Sequence, residues 1–158
     1  MKKAAKEFAK NRWNEGIFSR IIGILDGWLV KIGCPSLKHD NVLNVGSFYC
    51  RKGYYAVNVQ AMVNRNKIII WRSIKCRGSE HDLTAFKRSN LYNILVEKYA
   101  LLLELGLYFL ADSAYSLRPF VLTPFDNARH ESLENTFNYH LLISRIFIEY
   151  AFGEIDTY

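Results

Sequence analysis

Ile21-Ile22-Gly23-Ile24-Leu25-Asp26-Gly27-Trp28-Leu29-Val30-Lys31-Ile32 is the stretch on which the reading of this chain turns. It is an almost continuous aliphatic and β-branched run, too rich in Ile and Gly for a good helix and suited to a strand buried on both faces. Asp26-Gly27 alone interrupts it, and Pro35 ends it. An ionisable side chain in the most apolar strand of a protein needs a reason to be there.

Moving outward, Tyr54 to Val63 alternates apolar and polar residues, and Lys67 to Lys75 follows after Asn64-Arg65-Asn66, which predicts a β-hairpin. From His81 to Glu104 apolar residues recur at helical spacing, with Ser79 and Asp82 resembling a capping box, so one crossover helix is expected. Leu107 to Ala111 is a short apolar strand that delivers Asp112 at its end, and Phe120 to Leu122 is an extended piece between Pro119 and Pro124. A long helix is expected from about Arg129 to Phe152, with Gly153 as the residue that stops it. Ala4 to Asn14 has the spacing of a short amphipathic helix, making residues 1–22 a lead-in and 23–158 the domain proper.

The composition fits one domain with a real core. The 158 residues are 50% hydrophobic and 23% charged, far from the balance of a disordered chain. The longest apolar stretch, Tyr99 to Ala111, is broken by Glu104 and Gly106 and is too short to cross a bilayer, so no membrane role is expected. The amino terminus has lysines but no apolar h-region, and Glu7 and Glu15 argue against a transit peptide. Cys34, Cys50 and Cys76 form no C-x-x-C pair, which excludes a Cys-ligated zinc site and a disulfide framework and points to a reducing compartment. His39, His130 and His140 stand at no metal-ligand spacing. A net charge of +6 favours an anionic partner.

Two acids stand out against this background. If the strand of Asp26 neighbours the strand ending at Asp112, their carboxylates converge, and like charges that close call for a proton or a divalent cation. Hard oxygen ligands select Mg²⁺ or Mn²⁺. Glu149, on the last helix, is the candidate third acid. Each has an ordinary alternative: Asp26 as a turn residue before Gly27, Asp112 as a cap through Ser113, and Glu149 as a partner of Arg145 one turn earlier. Phe137 and Asn138 are expected to pin the last helix.

The blocks Gly23-Ile24-Leu25-Asp26-Gly27, Arg51-Lys52-Gly53-Tyr54-Tyr55 to Ala61, Gly78-Ser79-Glu80-His81-Asp82, Ala111-Asp112-Ser113-Ala114-Tyr115 with Pro119 and Leu122-Thr123-Pro124, Phe137-Asn138, and Ser144-Arg145 to Glu149 with Phe152-Gly153 together resemble the DDE endonuclease domain of PIF/Harbinger-type transposases and their domesticated nuclease relatives. The resemblance implies an RNase H-like α/β fold, a mixed sheet flanked by helices, with the Asp26 strand central and beside the Asp112 strand. It implies that Asp26, Asp112 and Glu149 hold two divalent ions, Mg²⁺ or Mn²⁺, for hydrolysis or transfer at DNA phosphodiesters. It makes Asp82 and His81 auxiliary, with a helix cap the equal alternative for Asp82. Arg51 and Lys52, inside a matching block, become candidate DNA contacts.

Departures from the family pattern are Trp28 where Thr is usual after Asp-Gly, and Glu154-Ile155-Asp156 where a basic residue is usual. The family's proteins also carry an amino-terminal helix-turn-helix region, while here the catalytic blocks begin almost at once. A truncated or domesticated form is therefore expected, acting in the nucleus or also the cytoplasm. The alternative to a nuclease is a decayed, non-catalytic domain that binds DNA or a separate DNA-binding partner protein. Self-association into a homo-oligomer stays open.

Overall fold

The structure, a computed structural model, describes residue 18, residues 20–36 and residues 44–156; the expected amino-terminal helix over 4–14, most of the 1–22 lead-in and His39 lie outside them. Five strands form one mixed sheet: β1 (Ile21–Lys31), β2 (Ala56–Val63), β3 (Ile69–Arg77), β4 (Tyr108–Leu110) and β5 (Val121–Leu122). Their order is β3-β2-β1-β4-β5, so the Asp26 strand is central and lies next to the strand that leads to Asp112. β1 pairs β2 antiparallel and β4 parallel, and β4 pairs β5 parallel. The β2–β3 hairpin closes over Asn64, whose Oδ1 accepts from the backbone N–H groups of Asn66 and Ile68 while Lys67 takes a positive φ of 60°.

Helices cover both faces. On one, α1 (Asp82–Lys87), α2 (Asn90–Glu97) and α3 (Tyr99–Glu104) bring Phe86, Leu95 and Leu102 onto Leu25, Met62 and Phe109. On the other, the long α4 (Leu133–Asp156) lays Leu141, Ile148, Ala151 and Phe152 over Ile24, Ala61, Val63 and Leu110. This α/β architecture, a mixed sheet flanked by helices, is consistent with the RNase H-like fold that the resemblance implies. The opposite faces of β1 feed separate cores because successive side chains on a strand alternate.

Three expectations need correction. The single crossover helix is three short ones. Ser89 takes extended angles and its side chain accepts from the Tyr92 N–H, which stops α1 and starts α2, and Lys98, at φ −101° and ψ 12°, offsets α3 from α2. The Ser79 capping box does not form: the residue before α1 is His81, which makes no side-chain cap, and Asp82 turns towards the sheet instead. Gly153 does not stop the last helix, which runs on to Asp156. Phe152 beside it stacks on Trp28 with ring centroids 5.4 Å apart, and that contact keeps the final turn on the sheet. At the other end Ser132 caps α4 by accepting from the Asn135 N–H.

Phe137 and Asn138 do pin α4. Phe137 meets Phe18 and Phe125 edge-on, and the Asn138 amide both donates to and accepts from the backbone of Phe125. Ile148 is completely buried at the centre of the α4 contact. Truncating such a side chain removes transfer energy and leaves a cavity, so Ile148→Ala is expected to lower unfolding free energy by about 2–5 kcal/mol, read from urea denaturation. A loss well under about 1 kcal/mol would mean that α4 does not rest on the sheet there.

Candidate active site

The parallel register of β1 and β4 builds the site. Ile24 stands opposite Leu110, and both are fully buried under α4. Asp26 and Asp112 lie two residues further along each chain and so project to the same face. There they meet Arg145, which α4 carries on its sheet-facing side between Leu141 and Ile148. One guanidinium nitrogen, Nη2, lies 3.1 Å from Asp26 Oδ2 and 3.7 Å from Asp112 Oδ2. Arg145 and Asp26 are both about 15% exposed in their side chains, at 15% and 14%. The buried Nε of Arg145 has no hydrogen-bond partner.

Local hydrogen bonds hold the two acids. Asp26 Oδ1 accepts from the Gly27 N–H at 2.8 Å, and Asp112 Oδ1 accepts from the Ala114 N–H at 2.9 Å in a turn that Tyr115 closes onto the Asp112 carbonyl. Burial raises the pKa of Asp26 to about 6, outweighing Arg145, while the charge of Asp112 adds to the rise. One guanidinium therefore does not compensate this pair of carboxylates.

Glu149 is exposed, one helical turn beyond Arg145, and the carboxylates that Arg145 engages are those of Asp26 and Asp112. Among the described residues no three His, Cys, Asp or Glu side chains stand together closely enough to hold a metal ion. The arrangement is thus a pair of aspartates bridged by an arginine, and Glu149 does not join them. Two carboxylate oxygens aimed at one cationic atom are a donor set that fits a hard divalent cation.

Asp82, the first residue of α1, meets the opposite face of the sheet. Its Oδ1 accepts from Asn58 Nδ2 at 2.9 Å and from Gln60 Nε2 at 3.1 Å, and Gln60 accepts from the Tyr115 hydroxyl at 2.7 Å. Gly27 is obligatory here: a Cβ on it would stand 2.0 Å from Asp82 Oδ1. Burial, and then the charges of Asp26, Asp82 and Asp112, hold the Tyr115 phenol well above its usual pKa. The reading from sequence missed Asn58, Gln60 and Tyr115 as site residues. Its available signal was the pair of polar residues on one face of an otherwise apolar strand.

A cleft of about 250 Å³ opens beside Gly27 and Trp28, and Arg51, Lys52, His81 and Asp82 all line it. Arg51 and Lys52 are exposed in the turn before β2. Gly78 sits at its base, where a Cβ would meet the Ala56 and Phe48 carbonyls at 2.6 and 2.7 Å. Asp82, expected as an auxiliary acid, and Arg51 and Lys52, expected as DNA contacts, thus line one cleft with Gly27 and Trp28 of the Asp26 strand.

Compared with known protein families, residues 25–158 match the family described as DDE superfamily endonuclease. No curated protein and no solved structure matches the chain.

The Asp26 shift has a measurable consequence. Folded Asp26 binds its proton more tightly than the unfolded chain does, because its pKa rises from 3.8 to about 6. Protonation therefore favours the fold, and this group's contribution is fully present below about pH 4 and lost as pH rises to about 6, a decline of about 3 kcal/mol. Asp26→Asn should abolish that decline in urea unfolding measured across the window with a chelator present. Parallel curves for the two proteins would refute the shift.

Proposed function

The chain belongs to the DDE superfamily endonucleases, and from that membership we propose that it is a metal-dependent DNA nuclease or transposase catalytic domain of the PIF/Harbinger type. The observation that carries the reading is the convergence of Asp26 and Asp112 on a single cationic nitrogen. Acids on neighbouring strands that share one positive atom can share a divalent cation in its place. Mg²⁺ or Mn²⁺ ions, two in the full site, would supply an activated nucleophile and stabilise the leaving oxygen of an in-line displacement at a phosphodiester.

The chain's own residues do the rest. Asp26 and Asp112 are presented by adjacent strands, and the Gly27 and Ala114 N–H groups hold their second oxygens. Glu149 is exposed on α4 and, on this reading, would have to swing toward the two aspartates to complete the ligand set. Arg51 and Lys52 hold backbone phosphates along the cleft, which attaches DNA without reading its bases. Asp82 and His81 border the same cleft as auxiliary groups. A DNA substrate makes the nucleus the expected compartment, and a separate DNA-binding protein would supply the targeting that phosphate contacts cannot.

A second reading is favoured by one observation, the arginine lying where a cation would go while Glu149 stands apart. On it the domain is non-catalytic and binds DNA or a DNA-binding partner. Plasmid nicking in Mn²⁺ separates the two. Wild type should cleave, and Asp26→Asn, Asp112→Asn and Glu149→Gln should each lose about 100-fold or more while still binding DNA. Binding without any cleavage by wild type would leave the second reading.

Phosphate contacts also leave a salt signature. Replacing Arg51 and Lys52 by Ala should weaken binding to all duplexes alike and reduce the slope of log affinity against log salt by about 2. An unchanged slope, measured by fluorescence anisotropy, would remove these residues from the interface.

A further inference from the structure

Arg145 makes an incomplete ion pair. Its contact with Asp26 is a single hydrogen bond through Nη2, its approach to Asp112 at 3.7 Å is longer than a hydrogen bond, and its Nε is buried without a partner. An arginine built for permanent pairing with carboxylates uses its planar fork, donating two parallel bonds. A buried pair that is permanent also has its remaining donors satisfied, because each orphaned one costs free energy. Two carboxylates against one guanidinium leave the cluster with a charge deficit that a divalent cation would close.

We propose, resting on the nuclease reading, that Arg145 is a placeholder cation: its guanidinium fills the gap between Asp26 and Asp112 in the metal-free protein and surrenders that gap when a divalent cation binds. Nη2 lies within reach of both Oδ2 atoms, the place at which an ion shared by the two acids must sit. Arg145 and an incoming cation therefore compete for one position. The guanidinium keeps two like charges from facing each other bare, and it withholds the site from casual cations by the fraction of time it is docked. Glu149 lies four residues on, one turn further along α4, so the acid that the nuclease reading assigns to the set follows the arginine that would vacate it.

Isothermal titration with Mn²⁺ tests this on wild type, Arg145→Gln and Asp112→Asn. Arg145→Gln should bind Mn²⁺ about tenfold or more tighter than wild type, since the competitor is gone, and Asp112→Asn should bind far more weakly. Thermal unfolding should show Arg145→Gln less stable than wild type without metal and largely restored by it. In case that variant folds poorly, the Arg145 Nε–H resonance of wild-type protein, followed by NMR during Mg²⁺ titration, gives an independent reading. It should move from a distinct buried position to that of solvent-exposed arginines.

Equal or weaker Mn²⁺ affinity in Arg145→Gln, or an Arg145 resonance unmoved at saturating Mg²⁺, overturns the placeholder role. If binding still depends on Asp112, the nuclease reading survives that result. Absence of cation binding in wild type and Arg145→Gln alike overturns both.

Discussion

The parallel pairing of β1 with β4 is the constraint from which the site follows. Once Ile24 and Leu110 are opposite each other and buried, Asp26 and Asp112 have no choice of face. A slip of one residue would turn one of them to the other side of the sheet. The register depends on an irregularity at the start of β1, between Ile21 and Gly23, where β1 advances by two residues while β4 advances by one. Without that extra residue Asp26 would fall opposite Ser113. Gly23 suits the place, since a Cβ there would stand 2.7 Å from Met62 Cγ.

Holding two carboxylates side by side under a helix is unfavourable on both counts that shift pKa values, desolvation and like charge. For Asp26 burial is the larger of the two, and the charge of Asp112 adds to it. The fold answers with one guanidinium from α4, which bridges elements far apart in sequence and ties the helix to the strands electrostatically as well as through Ile148 and Phe152. That answer is partial. Arg145 lowers the pKa of Asp26, and burial raises it further than Arg145 lowers it. The result is a pair of carboxylates that one guanidinium leaves incompletely compensated.

Much of this was legible in the residues. The run around Asp26 marked the central strand, the alternation from Tyr54 to Val63 marked the hairpin, and the apolar run before Asp112 marked the strand beside β1. Those signals survive translation into structure because they report burial, which tertiary packing enforces. The breaks at Ser89 and Lys98 were less legible, since apolar spacing continues across them and only the local angles change. Gly153 misled for a related reason: its freedom to end a helix matters only if nothing holds the next turn, and Phe152 on Trp28 does. Arg145 was visible as a neighbour of Glu149 along the helix. That it would reach across to two strands instead depends on which side of α4 meets the sheet, a property of packing that spacing alone does not carry.

The far side of the sheet braces the backbone beside the two aspartates. Gly27 follows Asp26 directly, and the carboxylate of Asp82 rests against it. Tyr115 closes the turn that Asp112 opens, and its hydroxyl reaches Gln60. Gln60 in turn donates to Asp82 and to Asn58, so one buried polar network grips the backbone next to each site aspartate from beneath. Asn58 and Gln60 are almost wholly buried, and polar groups so placed are costly unless every bond is made. A network of this kind resists small displacements because each shift would orphan several donors at once. Above the sheet one guanidinium pairs the two aspartates incompletely, and below it the hydrogen bonds are closed. On the placeholder proposal, a cation that replaced the guanidinium between Asp26 and Asp112 would leave the strands that present them unmoved.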